Sequence, residues 1–223
     1  MQFMVPLLVV ATSVNIPQPQ SDENDANAKA ILDKVKAKYE AYQTMTIEFD
    51  QEIIPSDGSG KQTTPATLFL KGNKWRIEYP DQTLICNETT YWIHMIEENE
   101  VNISDYDADA EDVVKPSDIF KLYEKNFKYA INSPPTGKKG DETFDIIRFA
   151  PLDRDVFYHT IKLYVSQKDQ SIERAVVIDK EQNQLVFRIR SLAPNVTIPD
   201  SKFTFEASKY PGIIVNDTRS ARR

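Results

Sequence analysis

The chain has 223 residues, 27 Lys plus Arg against 34 Asp plus Glu, and a formal net charge of −7. A binder of nucleic acid without sequence preference needs a basic face to displace counterions, so this balance excludes that class. With 40% apolar residues the chain is too hydrophobic for a disordered one, and its length suits one sizeable core.

At the start, Phe3 to Ala11 is a short apolar run, and no Lys or Arg precedes Lys29. A bilayer core needs roughly 20 residues to cross, so the run reads as the apolar region of a secretory signal, with small residues following at Ala11-Thr12-Ser13. Residues 1–26 are therefore assigned to a signal and linker, and 27–223 to a single domain.

Over 27–42, Ile31, Leu32, Val35, Tyr39 and Tyr42 recur at helical spacing and predict one amphipathic helix. The period then changes to two, with Met45, Ile47 and Phe49 alternating with polar residues. Alternation predicts strands at 45–53, 64–71, 74–79, 83–87, 89–97, 100–104, 127–132, 142–149, 158–165, 171–179 and 184–193. Hairpin turns fall at Lys71-Gly72-Asn73, at Asn87-Glu88 and over 180–183. An acidic stretch, Asp105 to Asp112, breaks the pattern, and Pro116 opens a second helix with Ile119, Phe120, Leu122 and Tyr123 as its apolar stripe. Past Ala193, three prolines predict irregular chain. Two helices cannot cover both faces of so wide a sheet, so the expected architecture is α+β, mainly β. It is an incomplete, half-open antiparallel barrel of about eleven strands whose concave face is covered by helices.

Chemical signals are sparse. His94 and His159 each sit inside a strand pattern, with no nucleophile elbow or His-Glu-x-x-His around them, so no catalytic residue is assigned. The single Cys, Cys86, follows Leu84 and Ile85 and reads as a small buried hydrophobe. One Cys and two His leave little for a metal, and six Gly leave no phosphate cradle, so no metal or cofactor is expected. What remains is apolar bulk: Phe49, Phe69, Trp75, Tyr79, Trp92, Phe144, Phe149 and Phe187 either fill a core or line a ligand hollow, and composition leaves both open.

A longer pattern narrows the choice. Ala30-Ile-Leu-Asp-Lys-Val, then Ala66-Thr-Leu-Phe-Leu-Lys-Gly-Asn-Lys-Trp-Arg-Ile-Glu-Tyr-Pro80, Leu84 to Trp92, Lys115-Pro-Ser-Asp-Ile-Phe-Lys-Leu-Tyr123, Pro199 to Phe205, Tyr210-Pro-Gly212 and Asp217-Thr-Arg219 follow one another in order. In that order they resemble the outer-membrane lipoprotein carriers of the LolA family, Bacteroidetes-type members especially. The resemblance implies an open barrel under a helical lid and no enzymatic activity. It implies a soluble periplasmic monomer that takes acylated lipoproteins from an inner-membrane ABC exporter and passes them to an outer-membrane acceptor.

Read through that resemblance, Ile47, Phe49, Phe69, Trp75, Ile77, Ile93, Phe144 and Ile146 are the candidate lining of an acyl-chain cavity. Many carriers have an Arg whose side chain bonds to the lid; counting back from Trp75, the position is Lys71, the candidate lid latch. Two alternatives stand beside the carrier: another lipid- or glycolipid-binding or sensor protein of the same fold, and an interaction module with a filled core.

Overall fold

The computed structural model describes residues 25–106, 124, 127–131, 137–139 and 142–219. The expected signal run, most of the acidic stretch and the expected helix at 116–125 (Glu124 apart) lie outside these residues.

The chain opens with helix α1 (Ala26–Glu40). Asp25 caps it, accepting hydrogen bonds from the main-chain N–H of Asn27 at 2.8 Å and of Ala28 at 3.2 Å. A helix of this length is marginal alone, and its stability comes from docking Ala28, Leu32, Val35 and Tyr39, all buried, on the sheet.

The strands follow as β1 (Thr44–Ile54), β2 (Gln62–Lys71), β3 (Lys74–Glu78), β4 (Gln82–Cys86), β5 (Thr90–Met95) and β6 (Glu100–Asp105). After them come β7 (Phe127–Ile131), β8 (Gly137–Lys139), β9 (Glu142–Pro151), β10 (Tyr158–Ser166), β11 (Ile172–Asp179), β12 (Gln184–Pro194) and β13 (Ile214–Asp217). Every strand read from alternation is present. Two more were missed: β8 is a short Gly-Lys-Lys segment, and β13 is too short to alternate. β13 is a strand because it pairs, in parallel, with β6.

All thirteen strands form one sheet in the order β13-β6-β5-β4-β3-β2-β1-β12-β11-β10-β9-β7, with β8 added on β9. Along this order β13 and β7 are unjoined ends, so the barrel is open, as expected. Laid flat, twelve strands at about 4.8 Å each would span about 53 Å, far wider than one helix of about 10 Å. Yet a single apolar cluster joins α1 to buried residues of β1–β4, β7 and β9–β11. The sheet therefore curls around the helix. Register shifts assist the curl, in the β1–β12 ladder at Glu48/Phe49 and twice in the β10–β11 ladder.

The helix is tied at both ends to the β7–β11 part of the sheet. At its start the Asp25 N–H donates to the Tyr129 carbonyl at 3.3 Å, and the Ile131 N–H donates to the Asp25 carboxylate at 3.3 Å, both on β7. At its end Lys38 Nζ donates to the Asp169 carboxylate at 3.0 Å and its carbonyl at 2.9 Å, in the β10–β11 turn.

The convex face has cores of its own. Ile85, Trp92, Val101 and Ile103 pack beneath Phe205 and Ile213 of the C-terminal segment. That segment contains two short 3-10 helices, Asp200–Phe203 and Ala207–Lys209, with Phe203 fully buried. A third cluster, Val176, Ile178 and Val186, packs with Ile54 and Tyr164.

Candidate functional site

The concave face of β1–β6 and β12 is the candidate site. Cross-strand register aligns Leu192 of β12 with Ile47, Ile47 with Leu68, Leu68 with Ile77, Ile77 with Leu84, and Leu84 with Ile93. Six aliphatic side chains thus form one row across six strands, about 24 Å at about 4.8 Å per strand. The row ends at Asn102, opposite Ile93 on β6.

Rows on either side share that face. One runs Met45, Leu70, Trp75, Cys86 and Tyr91. The other is aromatic: the Phe49 ring lies 6.0 Å from Phe187 and 6.3 Å, edge-on, from Tyr79. Ile47, Phe49 and Trp75 are buried, whereas Ile77, Tyr79, Leu84, Tyr91, Ile93, Phe187, Ile189 and Leu192 are half-buried.

Five of the eight residues chosen from sequence, Ile47, Phe49, Trp75, Ile77 and Ile93, therefore lie together on the concave face. Three do not. Phe69 pairs with Thr46 and Arg76, on the convex side, where the Lys202 ammonium sits 4.0 Å over its ring. Phe144 and Ile146 share their face of β9 with Arg148, opposite to Ile147 and Phe149 of the main cluster. Both are buried.

The choice of Phe69 was correctable from sequence, because a two-residue Gly72-Asn73 turn sets Leu70, not Phe69, opposite Trp75. On β9 no such signal exists: Ile146 and Ile147 are both apolar, so alternation does not tell one face from the other. Leu68, Tyr79, Leu84, Tyr91, Phe187, Ile189 and Leu192 were left out of the lining and follow from the same register.

Lys71 ties down the C-terminal segment, and the expected lid helix lies outside the described residues. The Lys71 ammonium donates to the Ile198 carbonyl at 3.2 Å and pairs with Asp200 at 3.2 Å. Lys74 shares Asp200 at 3.2 Å, and the two ammonium groups hold that carboxyl below its ordinary pKa. Arg76 and Lys202 converge on Glu78 nearby, at 2.7 and 2.9 Å.

Polar groups on the concave side are few. The Tyr79 hydroxyl donates to Gln51 Oε1 at 2.7 Å. Burial raises the phenol pKa values of Tyr39, Tyr79 and Tyr91 to about 12. The indole N–H of Trp75 is buried and has no acceptor.

Neither histidine belongs to this face. His94 lies on the convex side against the stacked rings of Phe205, at 5.0 Å, and Tyr210, at 4.5 Å, and desolvation together with the nearby Arg76 charge lowers its pKa. His159 contacts Thr160 Oγ1 and Gln182 Nε2, each at 2.8 Å. Cys86 is fully buried, and its sulfur accepts from the Glu88 N–H at 3.4 Å. Among the described residues no cluster of three or more His, Cys, Asp or Glu is placed to hold a metal, and no helix is long and apolar enough to cross a membrane.

Two clefts lie elsewhere. One of about 440 Å³ is lined by Lys29, Asp33, Lys36, Ala37, Glu40, Glu124 and Tyr129. The other, about 260 Å³, lies under the C-terminal segment beside Arg76, Lys202, Phe205 and Tyr210.

An open, curled sheet with an apolar concave face and one docked helix defines a class of half-barrel scaffolds. The family described as "Outer membrane lipoprotein carrier protein LolA" matches residues 40–206, more than half of the chain, and the chain belongs to it. This is a family of carriers, not of enzymes. No curated protein matches significantly.

Among solved structures, an uncharacterized conserved protein from Thermus thermophilus is similar in fold, at 11% identity and a TM-score of 0.55, covering 87% of this chain and 99% of that one. A putative outer membrane lipoprotein-sorting protein domain from Vibrio parahaemolyticus aligns at 6% identity and a TM-score of 0.45, covering 80% and 97%. A LolA superfamily protein from Nitrosomonas europaea aligns at 14% and 0.42, covering 80% and 97%.

Proposed function

We propose that this chain is a periplasmic carrier, without enzymatic activity, that shields the acyl chains of lipoproteins on its concave face. It receives them from an inner-membrane ABC exporter and hands them to an outer-membrane acceptor, working as a monomer whose single domain spans 27–223. One observation carries this reading: the aliphatic row Leu192–Ile47–Leu68–Ile77–Leu84–Ile93 on the inner side of an unclosed sheet, in a chain of the LolA family. Within the row Ile47 and Leu68 are buried, and Leu192, Ile77, Leu84 and Ile93 are half-buried, more exposure than a filled core needs.

Energetics set the terms of release. Moving a sixteen-carbon acyl chain out of water gains about 12 kcal/mol, at ~0.8 kcal/mol per methylene. Three chains would gain about 36 kcal/mol, beyond the practical ceiling of roughly 20 for non-covalent affinity. A carrier must therefore leave part of its cargo exposed, or move a cover aside, for delivery to occur. A half-barrel with unjoined edges suits the first route.

The test is release of lipoproteins from spheroplasts with and without the purified protein, paired with displacement of a fluorescent fatty acid. Saturable displacement together with stimulated release supports the carrier. Absence of both leaves an interaction module with a filled core.

A further inference from the structure

We infer that the Trp75 indole N–H donates a hydrogen bond to the carbonyl oxygen of an ester-linked acyl chain lying on the concave face. This rests on the carrier reading and narrows its ligand from any hydrocarbon tail to an acyl linkage.

Trp75 is 4% exposed, and its Nε1–H has no hydrogen-bond partner. Leu70 and Cys86 are its cross-strand neighbours, the Tyr91 ring packs at 5.6 Å, and none of them takes the indole proton. Among the described residues, the only other buried side-chain nitrogen without a partner is Arg174 Nε, whose guanidinium stacks 3.7 Å over Tyr164 on the opposite face.

Three other polar groups on the concave side have partners. The Tyr79 hydroxyl is bound to Gln51, the Tyr39 hydroxyl accepts from the Ile172 N–H, and the Cys86 sulfur accepts from the Glu88 N–H. Phe at position 75 would supply the same apolar surface without a stranded donor, so the donor is the feature to be explained.

Its place suits a linkage. Trp75 and Ile77 are two residues apart on one face of β3, about 6.6 Å at about 3.3 Å per residue. A chain whose tail follows the aliphatic row through Ile77 and Leu84 brings its carboxyl end within reach of Trp75 by one step along the strand. A bare hydrocarbon has nothing to offer the indole; an ester carbonyl is an acceptor.

The experiment compares a dipalmitoyl-glyceryl cysteine lipopeptide with its dialkyl-ether analogue, which has the same tails and lacks the ester carbonyls. The unsubstituted protein should bind the ester about tenfold more tightly, equivalent to about 1.4 kcal/mol. Trp75→Phe should bind both at the ether's affinity. Equal affinities in the unsubstituted protein, or an ester preference that survives in Trp75→Phe, would overturn the inference and leave the carrier reading standing. Binding of neither lipid overturns both.

A second readout does not depend on that variant folding. The chain has two tryptophans. With indole-15N labelling of the unsubstituted protein, the Trp75 N–H resonance, identified against Trp92→Phe, should move downfield with the ester and not with the ether. An unmoved resonance under saturating ester defeats the inference.

Discussion

The Tyr39 hydroxyl, on the last turn of α1, accepts a 3.0 Å hydrogen bond from the main-chain N–H of Ile172 at the start of β11. The contact is buried and ties the helix to a strand 133 positions away. Tyr39→Phe leaves that N–H without an acceptor in the core. Urea unfolding should show a loss of about 1–2 kcal/mol with an unchanged slope.

The same hydroxyl belongs to a group of three. Tyr39, Tyr79 and Tyr91 have folded-state pKa values raised to about 12 by burial, above the ordinary 10.0. Burial here favours the protonated phenol, so the unfolded chain ionises first. Their contribution to stability is present in full below pH ~10 and is lost as pH climbs toward ~12. Absorbance at the phenolate band should show a late-titrating set, and urea midpoints should fall steeply over that interval. A single titration step near the ordinary value would contradict this.

Substitutions on the two faces should separate. Ile77→Asp or Leu84→Asp puts a carboxylate in the middle of the aliphatic row and should weaken fatty-acid binding by more than tenfold. Phe69→Leu, on the convex face under Lys202, should leave binding within about twofold while loosening the C-terminal segment. Fluorescent fatty-acid displacement measures the first, and limited proteolysis the second.

Lys71→Ala removes the tie to Ile198 and half of the clasp on Asp200. Cleavage within residues 196–213 should accelerate, with acyl-chain affinity unchanged. An altered affinity with an unaltered cleavage rate would instead support Lys71 as a latch on the lid.

In the β4–β5 turn, Asn87 Oδ1 accepts from the N–H groups of Thr89, at 3.1 Å, and Thr90, at 2.8 Å, while Glu88 adopts φ +81°. Left-handed backbone is costly for a residue with a Cβ. Glu88→Gly relieves that cost at some expense in unfolded-chain entropy, and should stabilise the fold by about 0.5–1 kcal/mol. Thermal unfolding checks it.

Local pattern determined much of this protein by itself. Eleven strands were legible because their hydrophobic period is two, and α1 because Leu32, Val35 and Tyr39 repeat on one helical face. The order of segments carried the family resemblance. Tertiary structure alone decided which apolar residues face inward. A strand such as β9 has buried apolar residues on both sides, so composition did not distinguish Phe144 from Phe149. Tertiary structure also made β13 a strand through β6, gave Lys71 a C-terminal partner far along the chain, and stranded the Trp75 N–H among apolar neighbours. Each is a long-range relation, set by pairing register and by which groups meet in space, and neither leaves a periodic mark on the chain.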